Sequence, residues 1–268
     1  MTLLAAALLG IVQGITEFLP VSSTAHLLLL GEAIGYDDPG GVFTVMIQLG
    51  SILAVVWLYR AKLFSVAARL ATNADARHFA AAVVLATIPV LIVGALFADY
   101  IQSVLYKSPR VFAGAFIAGG LVMLLVERLQ PAPIVVDAER IPLPRAVGVG
   151  MCQVLSLIPG VSRSGATIIG GLAMRMDRAA AAEFSFFVAI PTMSAAFAHE
   201  FLEVHDQLTA ARSAEIAVGF VMAFLSSLLI IKPFLGFVRR AGFAPFAWYR
   251  IALGLALLAA TGAGWVRG

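Results

Sequence analysis

Residues 13–26 read Gln-Gly-Ile-Thr-Glu-Phe-Leu-Pro-Val-Ser-Ser-Thr-Ala-His, and this polar stretch interrupts an apolar segment over 3–31. A second stretch, Pro-Gly-Val-Ser-Arg-Ser-Gly-Ala-Thr at 159–167, interrupts the apolar segment 146–174. Each apolar arm is too short to cross a bilayer, which takes about 20 residues. Irregular polar backbone at membrane depth is tolerated only where it is buried in protein or lines a cavity. Both segments are therefore predicted to be re-entrant helix–loop–helix elements.

The composition is that of a membrane protein. Of the 268 residues, 61% are hydrophobic and 12% are charged, and the mean hydropathy is +0.98. A soluble domain usually carries about 25% charged residues. We predict an all-α polytopic membrane protein with about six full transmembrane helices plus the two re-entrant segments. The predicted spans are 42–59, 79–97, 111–127, 184–199, 215–235 and 246–266.

Two features of the chain exclude other classes. Cys152 is the single cysteine, so an internal disulfide and a cysteine zinc site are excluded. No basic residue precedes the first apolar run, which argues against a cleaved secretory signal.

The two interrupted segments resemble each other. Four residues of the first recur in the second at a constant spacing of 140: Gly10, Gln13, Val21 and Ser22 correspond to Gly150, Gln153, Val161 and Ser162. Each interrupted segment is followed by three predicted spans. We infer a single membrane domain over 1–268, built from two repeat halves at approximately 1–130 and 141–268.

Lys and Arg are unequally distributed between the loops. Twelve lie in 60–78, 128–145, 174–183 and 232–245, whereas the opposite side receives four, which are Lys107, Arg110, Arg212 and Arg267. The positive-inside rule places the richer loops in the cytoplasm. The first interrupted segment then enters from outside and the second from the cytoplasm, so the halves form inverted-topology repeats whose broken segments meet near the midplane. The net charge of +3 reports topology on this view, and no nucleic-acid partner is expected.

Three ionisable residues, Glu17, His26 and Arg163, lie inside the interrupted segments. Ionisable groups at membrane depth cost about 2.5–3.5 kcal/mol each. An ion pair between Glu17 and Arg163 that only stabilises the fold is one interpretation. The hydroxyls beside these charges favour a ligand site, because a structural ion pair does not need them. They belong to Thr16, Ser22, Ser23, Thr24, Ser162, Ser164 and Thr167.

These donors suit a phosphate or diphosphate better than a cation. The planar guanidinium of Arg163 matches phosphate oxygens. Gly160 and Gly165 allow the backbone to approach a ligand closely. The second loop leads into a helix N-terminus near Thr167, whose dipole favours negative charge.

The first segment supplies candidate catalytic groups. Ser23 lies three residues before His26, on one face if that turn is helical, and the two form a candidate nucleophile–base pair. Glu17 is predicted either to orient His26 or to hold a metal over the phosphate.

Residues 13–26 and 159–167 resemble the two signature motifs of undecaprenyl-diphosphate phosphatases, the bacitracin-resistance family of bacterial membranes. The similarity continues through 47–56, 183–186 and 232–250, and so covers nearly the whole chain. The resemblance implies hydrolysis of undecaprenyl diphosphate to undecaprenyl phosphate and inorganic phosphate, which recycles the lipid carrier for peptidoglycan synthesis and confers bacitracin resistance. It also implies the bacterial cytoplasmic (inner) membrane, a polyprenyl diphosphate substrate and membrane lipids as neighbours. An oligomer of identical chains is left open.

The resemblance assigns roles residue by residue. Glu17, Ser23, His26 and Arg163 would be catalytic, and Glu17 would also be the ligand of a divalent cation, Mg²⁺ or Ca²⁺. Substrate binding would involve Gln13, Ser22, Thr24, Ser162, Ser164, Gly165 and Thr167. Many members have a glutamate where this chain has Gln13, which cannot bear charge, so a metal site here would lose one anionic ligand. Glu183 and Ser185 begin a predicted span and lie in a family-like stretch. Helix-start capping and compensation of the helix dipole explain Glu183 as well as a role in the site does.

Two points of the expected mechanism are left open, and so is one alternative function. Ser23 would attack the terminal phosphorus, or else position a water. Either His26 or Glu17 would be the base. A transporter or flippase of a lipid phosphate or small anion is the alternative function, since inverted repeats with broken helices are common in transporters. The Ser23–His26 pair beside Glu17 favours the hydrolase, because transport needs no nucleophile.

Overall fold

The computed structural model describes residues 2–36, 38, 41–106, 108–204 and 210–263, and helices account for most of them. Lys107 and Arg267, two of the basic residues assigned to the outer side, lie outside these ranges. Within them, extended pairing is limited to one bridge between Val135 and Met176. The helices are α1 (Leu3–Thr16), α2 (Ser23–Ala33), α3 (Val42–Leu58), α4 (Arg60–Arg69), α5 (Ala74–Tyr100), α6 (Pro109–Leu129), α7 (Leu143–Val154), α8 (Arg163–Ala173), α9 (Arg178–Val204), α10 (Ala210–Ala241) and α11 (Ala244–Gly262).

The described part of the chain contains five helices long and apolar enough to cross a membrane, namely α5, α6, α9, α10 and α11. A sixth candidate span is α3, which continues into α4 after a bend of 70°. The prediction of an all-α polytopic membrane protein with about six spans is therefore confirmed. The short helix α4 was not predicted, because its mixture of basic and apolar residues gives no hydropathy peak.

Both interrupted segments form helical hairpins, α1 with α2 and α7 with α8, whose arms pack on each other. The first arms have 14 and 12 residues. At 1.5 Å per residue they reach roughly 20 Å, which is short of the ~30 Å apolar thickness of a bilayer. Each first arm is therefore too short to cross a bilayer before the chain turns back, which agrees with the predicted re-entrant element.

Helix directions show that the two halves are inverted. The last spans of the halves, α6 and α11, pack along each other closely at glycines. Gly120 lies against the backbone of Ala247, near the start of α11. Gly254, further along α11, lies against Ala113, near the start of α6. The two helices are thus antiparallel, as inverted repeats require.

The first arm of each hairpin, α1 or α7, packs against a span of the other half. Gly10 of α1 lies on Gly219 of α10, and Gly14 lies on Ala223 four residues further along. In the same way, α7 packs along α5. A two-fold relation between the halves produces this pattern, in which the first arm of each half packs on the second span of the other half. The proposed boundaries of the halves and the side that faces the cytoplasm stay predictions.

Candidate active site

The turns of the two hairpins are built alike. Ser22 precedes α2 with φ of 69°, and Ser162 precedes α8 with φ of 75°. A positive φ is uncommon for a residue other than glycine and persists only where the surroundings impose it. Both serines are buried. The repeat predicted from sequence therefore extends to the backbone of the two turns.

The two turns differ in how they cap the helix that follows. The Ser162 hydroxyl accepts the N–H of Gly165 at 3.1 Å and so caps α8. Ser22 makes no side-chain cap bond at the start of α2. The first N–H groups of a helix are unpaired unless something caps them, and they attract anions. The sequence predicted an anion-binding helix start at α8, near Thr167. In the structure, it is the start of α2 that has no side-chain cap.

The turns meet each other at the centre of the molecule. The Ser164 hydroxyl donates to the carbonyl oxygen of Leu19 at 2.8 Å. Arg163 Nη2 donates to Glu17 Oε1 at 3.1 Å. Glu17 and Arg163, which lie 146 residues apart, are thus brought into direct contact.

Glu17 is surrounded by donors and is only 7% exposed. Its Oε1 accepts from Arg163, while its Oε2 accepts the Ser23 hydroxyl at 2.6 Å and the Gln13 amide at 3.0 Å. Hydrogen bonds to a charged acceptor are roughly twice as strong as neutral ones. The carboxylate is therefore fixed in place, with one oxygen directed at the proton of Ser23.

No hydrogen bond joins His26 to Ser23 in this conformation, and the Ser23–His26 nucleophile–base pair stays a prediction. The Nδ1 of His26 lies 2.7 Å from the carbonyl oxygen of Ser22, and its Nε2 lies 2.6 Å from the hydroxyl of Tyr249. The reason is local, because side chains in a helix point back toward its N-terminus. His26, in the first turn of α2, therefore reaches back to the carbonyl of Ser22.

Arg163 is held from α9 as well as by Glu17. Its Nη1 donates to the backbone oxygen of Ser185 at 3.1 Å. The Ser185 hydroxyl in turn lies 2.6 Å from that of Thr167. Arg163 Nε is buried and has no partner in the described residues. Ser185, a weaker candidate in the sequence, thus positions the guanidinium, and one N–H of that group is left without a partner among the described residues.

Arg250 was not assigned a role from the sequence, yet it holds the two turns together. It is 1% exposed. Its Nη1 donates to the carbonyl oxygens of Pro20 and Val161, at 3.0 and 2.9 Å. Its Nη2 donates to those of Ala115 and Gly160, each at 3.0 Å. The signal that could have found it is a lone charge inside an apolar span.

The remaining predicted residues contribute less. Thr16 donates to the Val12 carbonyl of its own helix at 2.6 Å. Ser162 and Ser164 lie 3.1 Å apart and bond each other. Within the described residues, the side chain of Thr24 makes no hydrogen bond, and its predicted contact with the substrate stays a prediction.

The side chains around Glu17 do not fit a divalent cation held by the protein. Mg²⁺ and Ca²⁺ take six or more oxygen ligands, several of them carboxylates in an all-protein site. Here Gln13 turns its amide N–H toward Glu17, and Arg163 occupies the other carboxylate oxygen. The described residues contain no group of three or more His, Cys, Asp or Glu that could hold a metal ion. The predicted Mg²⁺ or Ca²⁺ site at Glu17 therefore lacks its ligands.

The fold and site define a polytopic membrane protein with two re-entrant hairpins, whose tips join a serine–carboxylate pair to an arginine. Residues 6–256 match the model of the family described as bacitracin resistance protein BacA, and the chain belongs to this family. It is 49% identical over 249 residues to an undecaprenyl-diphosphatase of Phenylobacterium zucineum (strain HLK1), covering 93% of this chain and 94% of the relative. It is 48% identical over 253 residues to undecaprenyl-diphosphatase 1 of Agrobacterium fabrum, covering 94% of each. An undecaprenyl-diphosphatase of Cereibacter sphaeroides is 47% identical over 264 residues, which is 98% of each chain.

Proposed function

We propose that this protein hydrolyses undecaprenyl diphosphate to undecaprenyl phosphate and inorganic phosphate. Relatives that carry the name undecaprenyl-diphosphatase align with it over more than nine-tenths of both chains, and this supports the activity. The observation on which the proposed catalytic site rests is the 2.6 Å hydrogen bond from the Ser23 hydroxyl to Glu17. Transport of an anion requires no such activated hydroxyl.

The charge around the turns suits a diphosphate. Glu17 and Arg163 neutralise each other, whereas Arg250 is paired only with carbonyl oxygens. The centre therefore keeps one unit of positive charge that an anion can balance. The uncapped start of α2 and the free Nε–H of Arg163 offer hydrogen-bond donors to phosphate oxygens.

Glu17 is the proposed base. In the covalent route, Ser23 Oγ forms a bond to the terminal phosphorus as its proton passes to Glu17 Oε2. The bridging P–O bond breaks and undecaprenyl phosphate leaves; water then attacks the phosphoserine and releases inorganic phosphate. In the direct route, Ser23 positions a water whose proton Glu17 accepts. Both routes depend on positioning and charge stabilisation, which dominate phosphoryl transfer.

The proposed setting is the bacterial cytoplasmic (inner) membrane. We place the opening of the site on the outer face, because Ser23 and His26 lie on the hairpin predicted to enter from outside. Release of undecaprenyl phosphate there would recycle the carrier for peptidoglycan synthesis and confer bacitracin resistance. Self-association of the chain stays a separate prediction.

The test is phosphate release by the purified protein in detergent, with undecaprenyl diphosphate as substrate. Wild type is compared with Ser23→Ala, and Ser65→Ala on the exposed face of α4 serves as the matched control. Release by wild type and Ser65→Ala, but not by folded Ser23→Ala, would support the proposal. No release by folded wild type, together with movement of a labelled lipid phosphate across proteoliposomes, would favour the flippase instead.

A further inference from the structure

The side chain of Tyr249 belongs to the site, although it lies 223 residues from the residue that it contacts. Its hydroxyl is 2.6 Å from His26 Nε2. The two rings are nearly parallel, with an interplanar angle of 12° and centroids 5.6 Å apart. Phe116 meets the His26 ring edge-on at 6.3 Å. The imidazole is thus fixed by an aromatic pair and by hydrogen bonds at both nitrogens.

The partners of His26 define its tautomer. A carbonyl oxygen can only accept, so the Nδ1 that faces the Ser22 oxygen carries the proton. In the neutral ring, Nε2 is then an acceptor, and the Tyr249 hydroxyl donates to it. The lone pair that could accept a proton from Ser23 is therefore already engaged by Tyr249.

The backbone of α11 places Tyr249 accurately beside the first turn. The next residue, Arg250, bonds the Pro20 carbonyl of that turn at 3.0 Å. Tyr249 itself is 46% exposed, whereas Arg250 is buried. The His26–Tyr249 pair is thus only partly buried, whereas Glu17 of the neighbouring ion pair is 7% exposed.

We propose that Tyr249 is a positioning residue of the active site, which acts through His26. Its hydroxyl holds the imidazole in one orientation and occupies Nε2, which leaves Glu17 as the acceptor of the Ser23 proton. The role in turnover rests on the proposed hydrolysis, whereas the hydrogen bond itself can be tested without it.

The key variant is Tyr249→Phe, which removes the hydroxyl and keeps the ring. We expect kcat to fall about 2- to 10-fold, the size of one neutral hydrogen bond, with KM nearly unchanged. In a His26→Ala background the same substitution should have no further effect, because residues that act as a unit are not additive. Trp248→Phe, at an exposed neighbour on α11, is the control and should match wild type.

A second readout does not need activity. Protein labelled with ¹⁵N-histidine in detergent gives imidazole signals from four histidines, and His26→Gln identifies the one from His26. Tyr249→Phe should shift the Nε2 resonance of His26, and Trp248→Phe should not. An unchanged resonance, or a loss of rate that persists undiminished without His26, would overturn the proposal. If wild type released no phosphate, the shift would still establish the hydrogen bond, but the hydrolysis and the role of Tyr249 in it would both fail.

Discussion

The Ser23 hydroxyl donates to Glu17 Oε2 over 2.6 Å, across the break between α1 and α2. Ser23 is the first residue of α2, and Glu17 directly follows the end of α1. The contact therefore exists only because the hairpin turns back on itself. His26, three residues further along α2, takes no part in it.

Exchange of Glu17 for Gln should remove phosphate release almost completely, by about 10²–10⁴-fold, the usual contribution of a general base. His26→Ala should cost much less, because His26 does not contact Ser23. Initial rates on undecaprenyl diphosphate, with folding checked by circular dichroism, give the comparison. A His26→Ala variant as inactive as Ser23→Ala, beside an active Glu17→Gln, would return the role of base to His26.

Arg250→Gln should destabilise the protein more than any exposed arginine exchange. Four carbonyl oxygens accept from this guanidinium in buried or partly buried hydrogen bonds, and each buried oxygen left unsatisfied costs about 1–3 kcal/mol. Thermal unfolding in detergent should show a clearly lowered midpoint. Arg240→Gln, on the exposed end of α10, is the control and should unfold as wild type does. Equal midpoints for the two variants would mean that the turns hold together without Arg250.

Gln13→Glu should create the cation site that the present residues lack. A second carboxylate beside Glu17 would replace a donor with an acceptor, and two adjacent carboxylates attract a divalent cation. We expect Ca²⁺ or Mg²⁺ to raise the unfolding temperature of this variant by several degrees, and that of wild type by less.

The control for cation binding is Gln153→Glu, at the residue that corresponds to Gln13 in the other half. Gln153 donates to the Ala86 carbonyl and accepts from Thr192, and no carboxylate of the described residues bonds its side chain. A cation should therefore not stabilise that variant. Equal cation effects in both variants would show unspecific binding and contradict the prediction.

Thiol labelling in whole cells tests the orientation. In a Cys152→Ser background, Arg110→Cys near the start of α6 should react with a membrane-impermeant reagent added outside. Ser65→Cys on α4 should react only after the cytoplasm is opened. Both positions are exposed, so access depends only on the side of the membrane. The reverse pattern would invert the topology.

Hydropathy predicted the spans because the thickness of the bilayer imposes a minimum length on each helix. The repeat of the interrupted segment predicted that Glu17 and Arg163 meet. The contacts of Arg250 and Tyr249 could not be predicted in this way. They depend on the register of α11 against a turn more than 200 residues earlier, and no pattern along the chain encodes that register. The hydrogen bond from Ser23 to Glu17 was not predicted for a related reason, since sequence spacing does not define the direction of a side chain at the start of a helix.

Inverted halves have a consequence for the origin of the site. Glu17 and Ser23 come from the first half, and Arg163 and Arg250 from the second, so neither half is chemically complete. An ancestor of half the length would have needed two copies inserted in opposite directions to unite such groups. Once both copies were joined in one gene, each turn could change independently. The first turn would then supply the carboxylate and the serine, and the second the arginine. The shared backbone conformation at Ser22 and Ser162 is what two such copies would have in common.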